Sequence, residues 1–336
     1  GSIFYTSINI PYGSMASAVS ADPKDRAELS TWRTIGSTLA NMVIGVATPM
    51  VAYVVVDGKT VMSGSRMTII AGVFSICAIL CYIVCFKLTR ERVEVPASSQ
   101  KVSASAIFKS IFTNRALLGI IVAAIFVLLS QLTVMSLAGY VYPNVYGSAA
   151  AQSTASLLGT VVMLIVCAPF ASKLAAKFGK KELAVASSIC SALVWLVCLI
   201  WRPASVWGFV ACYILANVGM GFFNTIIWAM ITDVIDDAEV RSGIREDGTI
   251  YSVYSFARKL GQAFSSGLVG ALLGIIGYTE ATAFDPAVTR GIFNMACIAP
   301  IIGFVCIVLA LVFLYPLSKK KVEENVAALA ARRNSK

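Results

Sequence analysis

The stretch IYSVYSFARKLGQAFSSGLVGALLGIIGY, residues 250–278, has the length and apolar content of a membrane-spanning helix, yet Arg258 and Lys259 stand inside it. At 1.5 Å per residue, Lys259 lies roughly 15 Å from the start of the span, near the middle of a hydrocarbon core about 30 Å thick. A cation at that depth costs at least a few kcal/mol unless it faces a partner or water. Such a residue is expected to line a polar cavity inside a helical bundle, which points to transport. Immediately upstream runs a polar segment, DVIDDAEVRSGIREDG (233–248).

The rest of the chain agrees with a membrane setting. Of its 336 residues 58% are hydrophobic and only 13% charged, against roughly 25% charged in soluble globular chains. The composition is that of an all-α polytopic membrane protein. No histidine is present, which removes the commonest metal ligand and the usual near-neutral proton relay. The nine cysteines fall inside apolar runs without a CxxC pair, so they read as small buried hydrophobes. No nucleophile–base pair, paired catalytic carboxylates or metal-ligand cluster is apparent, so an enzyme is not expected and no cofactor is implied. The Gly219-Met220-Gly221 pattern lies mid-span and reads as helix packing rather than a phosphate loop.

Nine apolar spans are predicted, at about 2–20, 34–56, 67–88, 116–142, 153–172, 182–201, 205–232, 250–278 and 291–316. Counting Lys and Arg on alternate sides gives twenty-one on one side and four on the other, with Arg258 and Lys259 assigned to neither. This asymmetry predicts a cytoplasmic C-terminus and a cytoplasmic connection after the third span. The net charge of +10 is thereby topological, and nucleic-acid binding is not implied. Six spans follow residue 115 and three precede it, so a two-halved, twelve-helix transporter would be represented by its helices 4–12. The chain opens Gly1-Ser2 with an apolar run under way, and truncation at the N-terminus is the expectation. The predicted organisation is 1–88 as the rest of an N-terminal half, 89–115 as a central loop, 116–316 as a six-helix half, and 317–336 as a basic tail. Within the loop, KVSASAIFKSIFTNR (101–115) is amphipathic at helical spacing and suits the membrane surface.

Several polar residues interrupt the spans. In the first, Thr6 and Asn9 share a face just before Pro11, which frees upstream carbonyls. They could coordinate a cation or a hydroxylated ligand, or simply accompany a proline kink. Arg33 opens the second span, where a guanidinium either snorkels to the interface or grips vicinal hydroxyls. In the seventh, Asn217, Asn224 and Trp228 lie on one face and serve either helix–helix hydrogen bonding or a ligand wall. Asp233 and Asp236 follow at the end of that span. They could pair with Arg241, Arg245 or the LAAKFGKK segment (174–181) to latch a gate, or form a solvated helix end. Ser255 lies one turn before Lys259 and Gln262 just after it, so a hydroxyl, an ammonium and an amide make one stripe. Arg258 points about 100° away from Lys259 around the helix, so one of the two is expected to serve the site and the other a carboxylate or the vestibule.

At these residues the chain resembles the glycoside–pentoside–hexuronide:cation symporters, the family of melibiose permease within the major facilitator superfamily. The resemblance rests on NIPYGSMASAVSADPKDRAELSTWR (9–33) and WAMITDVIDDAEVRSGIREDGTIYSVYSFARKLGQAF (228–264), with LAAKFGKKE (174–182) in support. It implies a monomeric transporter of the inner or plasma membrane that moves a sugar or glycoside together with Na⁺ or H⁺. It further implies sugar contacts from Asn9, Arg33, Lys259 and Ser255, to which the residue pattern adds Asn224 and Trp228. Cation contacts would come from Thr6 and Asn9, and an inner gate from Asp233, Asp236 and Arg245. Two positions depart from melibiose permease, which has aspartate where this chain has Asn9 and tryptophan where it has Gly13. A neutral amide cannot balance a cation, so coupling through this helix is weaker. The competing expectation is a transport-incompetent remnant or a sensor-like relative.

Overall fold

The computed structural model describes residues 23–56, 59–89, 114–242 and 247–334. They are almost wholly helical. Helix α1 (Pro23–Ala52) leads into two short paired strands, β1 (Tyr53–Val56) and β2 (Lys59–Met62), and then α2 (Gly64–Leu88). After these come α3 (Arg115–Tyr140), α4 (Ala149–Val162), α5 (Ala168–Phe178), α6 (Lys180–Trp201), α7 (Val206–Ser242), α8 (Asp247–Ile275), α9 (Pro286–Leu309) and α10 (Lys319–Asn334). Wider π-helical turns follow α3 at Val141–Val145, α4 at Met163–Cys167 and α9 at Ala310–Leu314. The chain divides into two compact units, the first holding α1 and α2 and the second everything from α3 onward.

Helix boundaries follow local chemistry. The Asn114 side chain caps α3 by accepting from the amides of Ala116 and Leu117 at 3.0 and 3.1 Å. Ser148 does the same for α4 through Ala151, and such caps satisfy amides that the first turn leaves without partners. Between α5 and α6, Gly179 takes φ +107°, a conformation open to glycine but costly for other residues.

Six helical segments among the described residues are long and apolar enough to cross a membrane: Gly64–Leu88, Arg115–Val145, Ala150–Cys167, Lys180–Trp201, Val206–Arg241 and Pro286–Leu314. These correspond to six of the nine predicted spans, and the 2–20 span lies outside the described residues. The other two differ for physical reasons. Among the described residues of α1 an apolar run covers Leu39–Ala52, and the run YVVV that the sequence appends to this span becomes β1 instead. Four successive β-branched or aromatic residues favour the strand. Helix α8 is long enough at 29 residues, but its paired cations and hydroxyl residues dilute its hydropathy. No residue of α2 is buried, and Ile69, Ile79, Leu80 and Phe86 all stand exposed. A helix apolar all round has hydrocarbon, not water, as its solvent.

Helix α3 is the axis of the second unit. Leu117, Ile120, Ala124, Val127 and Leu137 are fully buried, with α8 and α9 packed on them. Helix α6 lies against α7 and α9, and α10 lies across α7. Close approach depends on small residues, as in other membrane bundles. A Cβ added at Gly261 of α8 would stand 2.9 Å from the Ile125 carbonyl oxygen of α3. Nearby, the buried hydroxyls of Thr133 and Ser265 join the same two helices at 3.2 Å.

Candidate functional site

Helices α7 and α8 carry the described candidate residues and bring Asn224, Trp228 and Arg258 into one group and Asp233 and Arg241 into a second. The first lies near mid-span. Trp228 of α7 meets Tyr254 of α8 edge to face, ring centroids 5.3 Å apart. Over both rings stands Arg258, its guanidinium carbon 5.5 Å from the Trp228 centroid and 5.8 Å from that of Tyr254. Arg258 also donates to the Tyr254 hydroxyl at 3.3 Å. One turn before Trp228, Asn224 donates from Nδ2 to Oε1 of Gln131 on α3 at 3.4 Å. The group thus offers an aromatic platform, a guanidinium, and two amides that each keep further donor or acceptor capacity.

Ser255 is half-buried and Lys259 exposed on α8. Lys259 makes no hydrogen bond or ion pair with the described residues. Of the two adjacent cations, Arg258 is therefore the one built into the aromatic group, while Lys259 borders open space. The expectation that one of them would meet a carboxylate finds no such contact among the described residues. Asn217 bonds back to the Tyr213 carbonyl of its own helix at 2.8 Å, so it stands apart from this group. Thr6, Asn9 and Arg245 lie outside the described residues. Arg33 is carried by α1, and its side chain likewise lies outside them.

The second group closes the end of the bundle where α5 turns into α6. Lys180, directly after the Gly179 turn, donates to Asp233 Oδ1 at 2.6 Å and to the Ala229 carbonyl at 3.3 Å. One turn along α7, buried Asp237 pairs with Arg241 at 2.5 Å through Oδ2 and accepts from Asn325 of α10 at 3.0 Å through Oδ1. Arg332 of α10 donates to the carbonyls of Glu239 and Val240. Lys181 reaches the Tyr315 carbonyl at 2.6 Å, and the buried Tyr315 hydroxyl donates to the Met230 carbonyl at 3.3 Å. Asp236 is half-buried and takes no part in the Lys180 or Asn325 contacts.

Sequence reasoning missed Asp237, Asn325 and Gln131. Asp237 stands four residues after Asp233, and that spacing shares a face as well as the three of Asp236 does. The deciding partner, α10, lies in the segment whose sequence reads only as a basic tail. Gln131 is a single amide in a run otherwise almost wholly apolar, and an amide in such a run is itself a signal. Among the described residues no group of three or more potential metal ligands forms.

A family model described as MFS/sugar transport protein matches residues 1–319. The chain belongs to that family. This transporter is 30% identical to the symporter YjmB of Bacillus subtilis over 332 residues, 97% of this chain and 70% of the relative. It is 27% identical over 338 residues to a glucuronide carrier protein homolog of Escherichia coli, covering 98% and 71%. With a putative sulfoquinovose importer of Salmonella typhimurium the identity is 28% over 337 residues, covering 99% and 69%. These matches agree with the resemblance to the glycoside–pentoside–hexuronide symporters, and the molecule is a membrane sugar transporter of the major facilitator superfamily.

Proposed function

We propose that this protein is a symporter that takes up a sugar or glycoside with Na⁺ or H⁺ by alternating access. It is read as a monomer of the cell membrane with its C-terminus in the cytoplasm. The observation that carries the reading is the polar and aromatic face of α7 and α8, set in a chain whose whole-length relatives are called symporters, carriers and importers. Trp228 supplies a ring face against which the C–H face of a sugar can stack, and Asn224 supplies an amide for its hydroxyls. Ser255 and Lys259 add a hydroxyl and an ammonium one turn apart. Asn9 and Arg33 complete the sugar contacts in this proposal, Thr6 and Asn9 the cation contacts, and Asp233, Asp236 and Arg245 the gate on the cytoplasmic side.

Basic residues outnumber their counterparts on the other side by twenty-one to four, which supports the orientation. Counterflow in proteoliposomes tests the function. Exchange of a labelled glycoside is expected to rise when Na⁺ is present or when a proton gradient is imposed. Exchange indifferent to both ions would remove symport, and no exchange of any glycoside would remove sugar transport. Lys259→Ala is expected to lower sugar affinity about tenfold or more, read by equilibrium binding; unchanged binding takes Lys259 out of the site.

A further inference from the structure

Arg258 is a half-buried cation on α8, and the described side chains that contact it are aromatic. The ion pairs among the described residues are Lys180–Asp233, Arg241–Asp237 and Lys321–Glu324. None includes Arg258. The nearer carboxylates of α7 are held elsewhere, Asp233 by Lys180 and Asp237 by Arg241 and Asn325. Asp236 lies eight residues beyond Trp228, roughly 12 Å along the axis.

The ring faces of Trp228 and Tyr254 offset part of the cost of keeping the charge there. They engage the cation through its π-surface, while a guanidinium has five N–H donors and, among the described residues, one of them is used, on the Tyr254 hydroxyl. The fork that matches an oxyanion two bonds at a time is otherwise unclaimed by the described residues. A charge steadied by aromatics and without a counter-ion among the described residues is suited to a counter-ion that arrives from outside. Lys259, adjacent and exposed, adds a second positive charge that would draw an anion toward it.

We propose that Arg258 is the specificity-determining residue for an anionic sugar, whose carboxylate or sulfonate docks on the guanidinium while its ring lies against Trp228. This rests on the sugar-transport reading above and narrows its substrate class. The Asn224–Gln131 pair, one turn away, is placed to meet hydroxyls of the same ring. Specificity then follows from the cost of emptiness: a neutral sugar leaves the cation without its partner, so it is rejected as well as less attracted.

The test uses three glucosides identical except in the group on ring carbon C5, which is hydroxymethyl, carboxylate or sulfomethyl. Uptake and competition are measured with the purified protein in proteoliposomes. The wild type is expected to prefer at least one anionic probe over the hydroxymethyl probe by about 10- to 100-fold. Preference for the carboxylate alone marks a uronide site and for the sulfonate alone a sulfo-sugar site; either supports the proposal. Arg258→Gln should abolish the preference, read as the ratio of anionic-probe to hydroxymethyl-probe uptake. Arg258→Lys keeps the charge but not the fork, and should retain a reduced preference, which guards against misfolding of the first variant. A wild type that prefers the neutral probe, or an Arg258→Gln variant that keeps the anionic preference, overturns the proposal while leaving sugar transport intact. If no probe or other glycoside moves, the transport reading falls with it.

Discussion

The two polar groups on α7 treat charge in opposite ways. Near its end, Lys180 pairs with Asp233 and Arg241 with Asp237, and Asn325 donates to the other oxygen of Asp237, while Asp233 Oδ2 is buried without a hydrogen-bond partner among the described residues. Fewer than four turns of α7 separate these residues from Trp228, where Arg258 stands on Trp228 and Tyr254 with no described carboxylate beside it. Paired charges fasten helices. An unpaired one, held by aromatic faces, is a poor fastener but leaves its donors free. The same helix thus devotes one end to architecture and its middle to recognition.

That division can be broken by substitution. The largest stability effect is expected for Asp237→Ala, which strands Asn325 and removes the Arg241 partner at a buried site. A loss of about 2–4 kcal/mol follows, read as a lower midpoint of unfolding in detergent, and α10 should become more open to proteolysis. Lys180→Ala should cost less, about 1–2 kcal/mol, because Lys180 is one-third exposed and water can take over part of its role toward Asp233. At mid-span the order reverses. Arg258→Met is expected to leave the unfolding midpoint unchanged or higher, since an apolar chain replaces a desolvated cation, while transport falls. A destabilisation matching that of Asp237→Ala would show that Arg258 fastens the bundle and would erase the contrast. The smallest effect belongs to Lys321→Ala on α10, whose ion pair with Glu324 is half exposed on both sides; less than about 0.5 kcal/mol is expected.

Much of this architecture is legible in the sequence. Apolar length located α2, α3, α6 and α9, and the caps at Asn114 and Ser148 stand where polar residues precede those runs. The length of α7 was not legible. Its apolar run gives out near residue 232, yet the helix continues to Ser242 because α10 supplies partners to Asp237, Glu239 and Val240. Such support is tertiary, and no local pattern announces it. Helical spacing also placed Arg258 and Lys259 on different faces without saying which would meet α7. Rotation about the helix axis decided it, and the close seat of Gly261 on Ile125 fixes that rotation. The first span and its candidates Thr6 and Asn9 belong to the part of the chain outside the described residues.

The π-helical turns carry a consequence for how the chain tolerates length changes. Removing one residue from an α-helix turns everything beyond it by about 100° and moves every buried side chain off its face. A turn such as Ala310–Leu314 already holds one residue more than an α-helix needs at that point. Deleting a residue there would relax the turn to ordinary α geometry and leave Tyr315 facing Met230 as before. The three wide turns are therefore the places where the register of these helices is slack, and a single-residue deletion elsewhere in α3 or α9 should be far more damaging than one made within them.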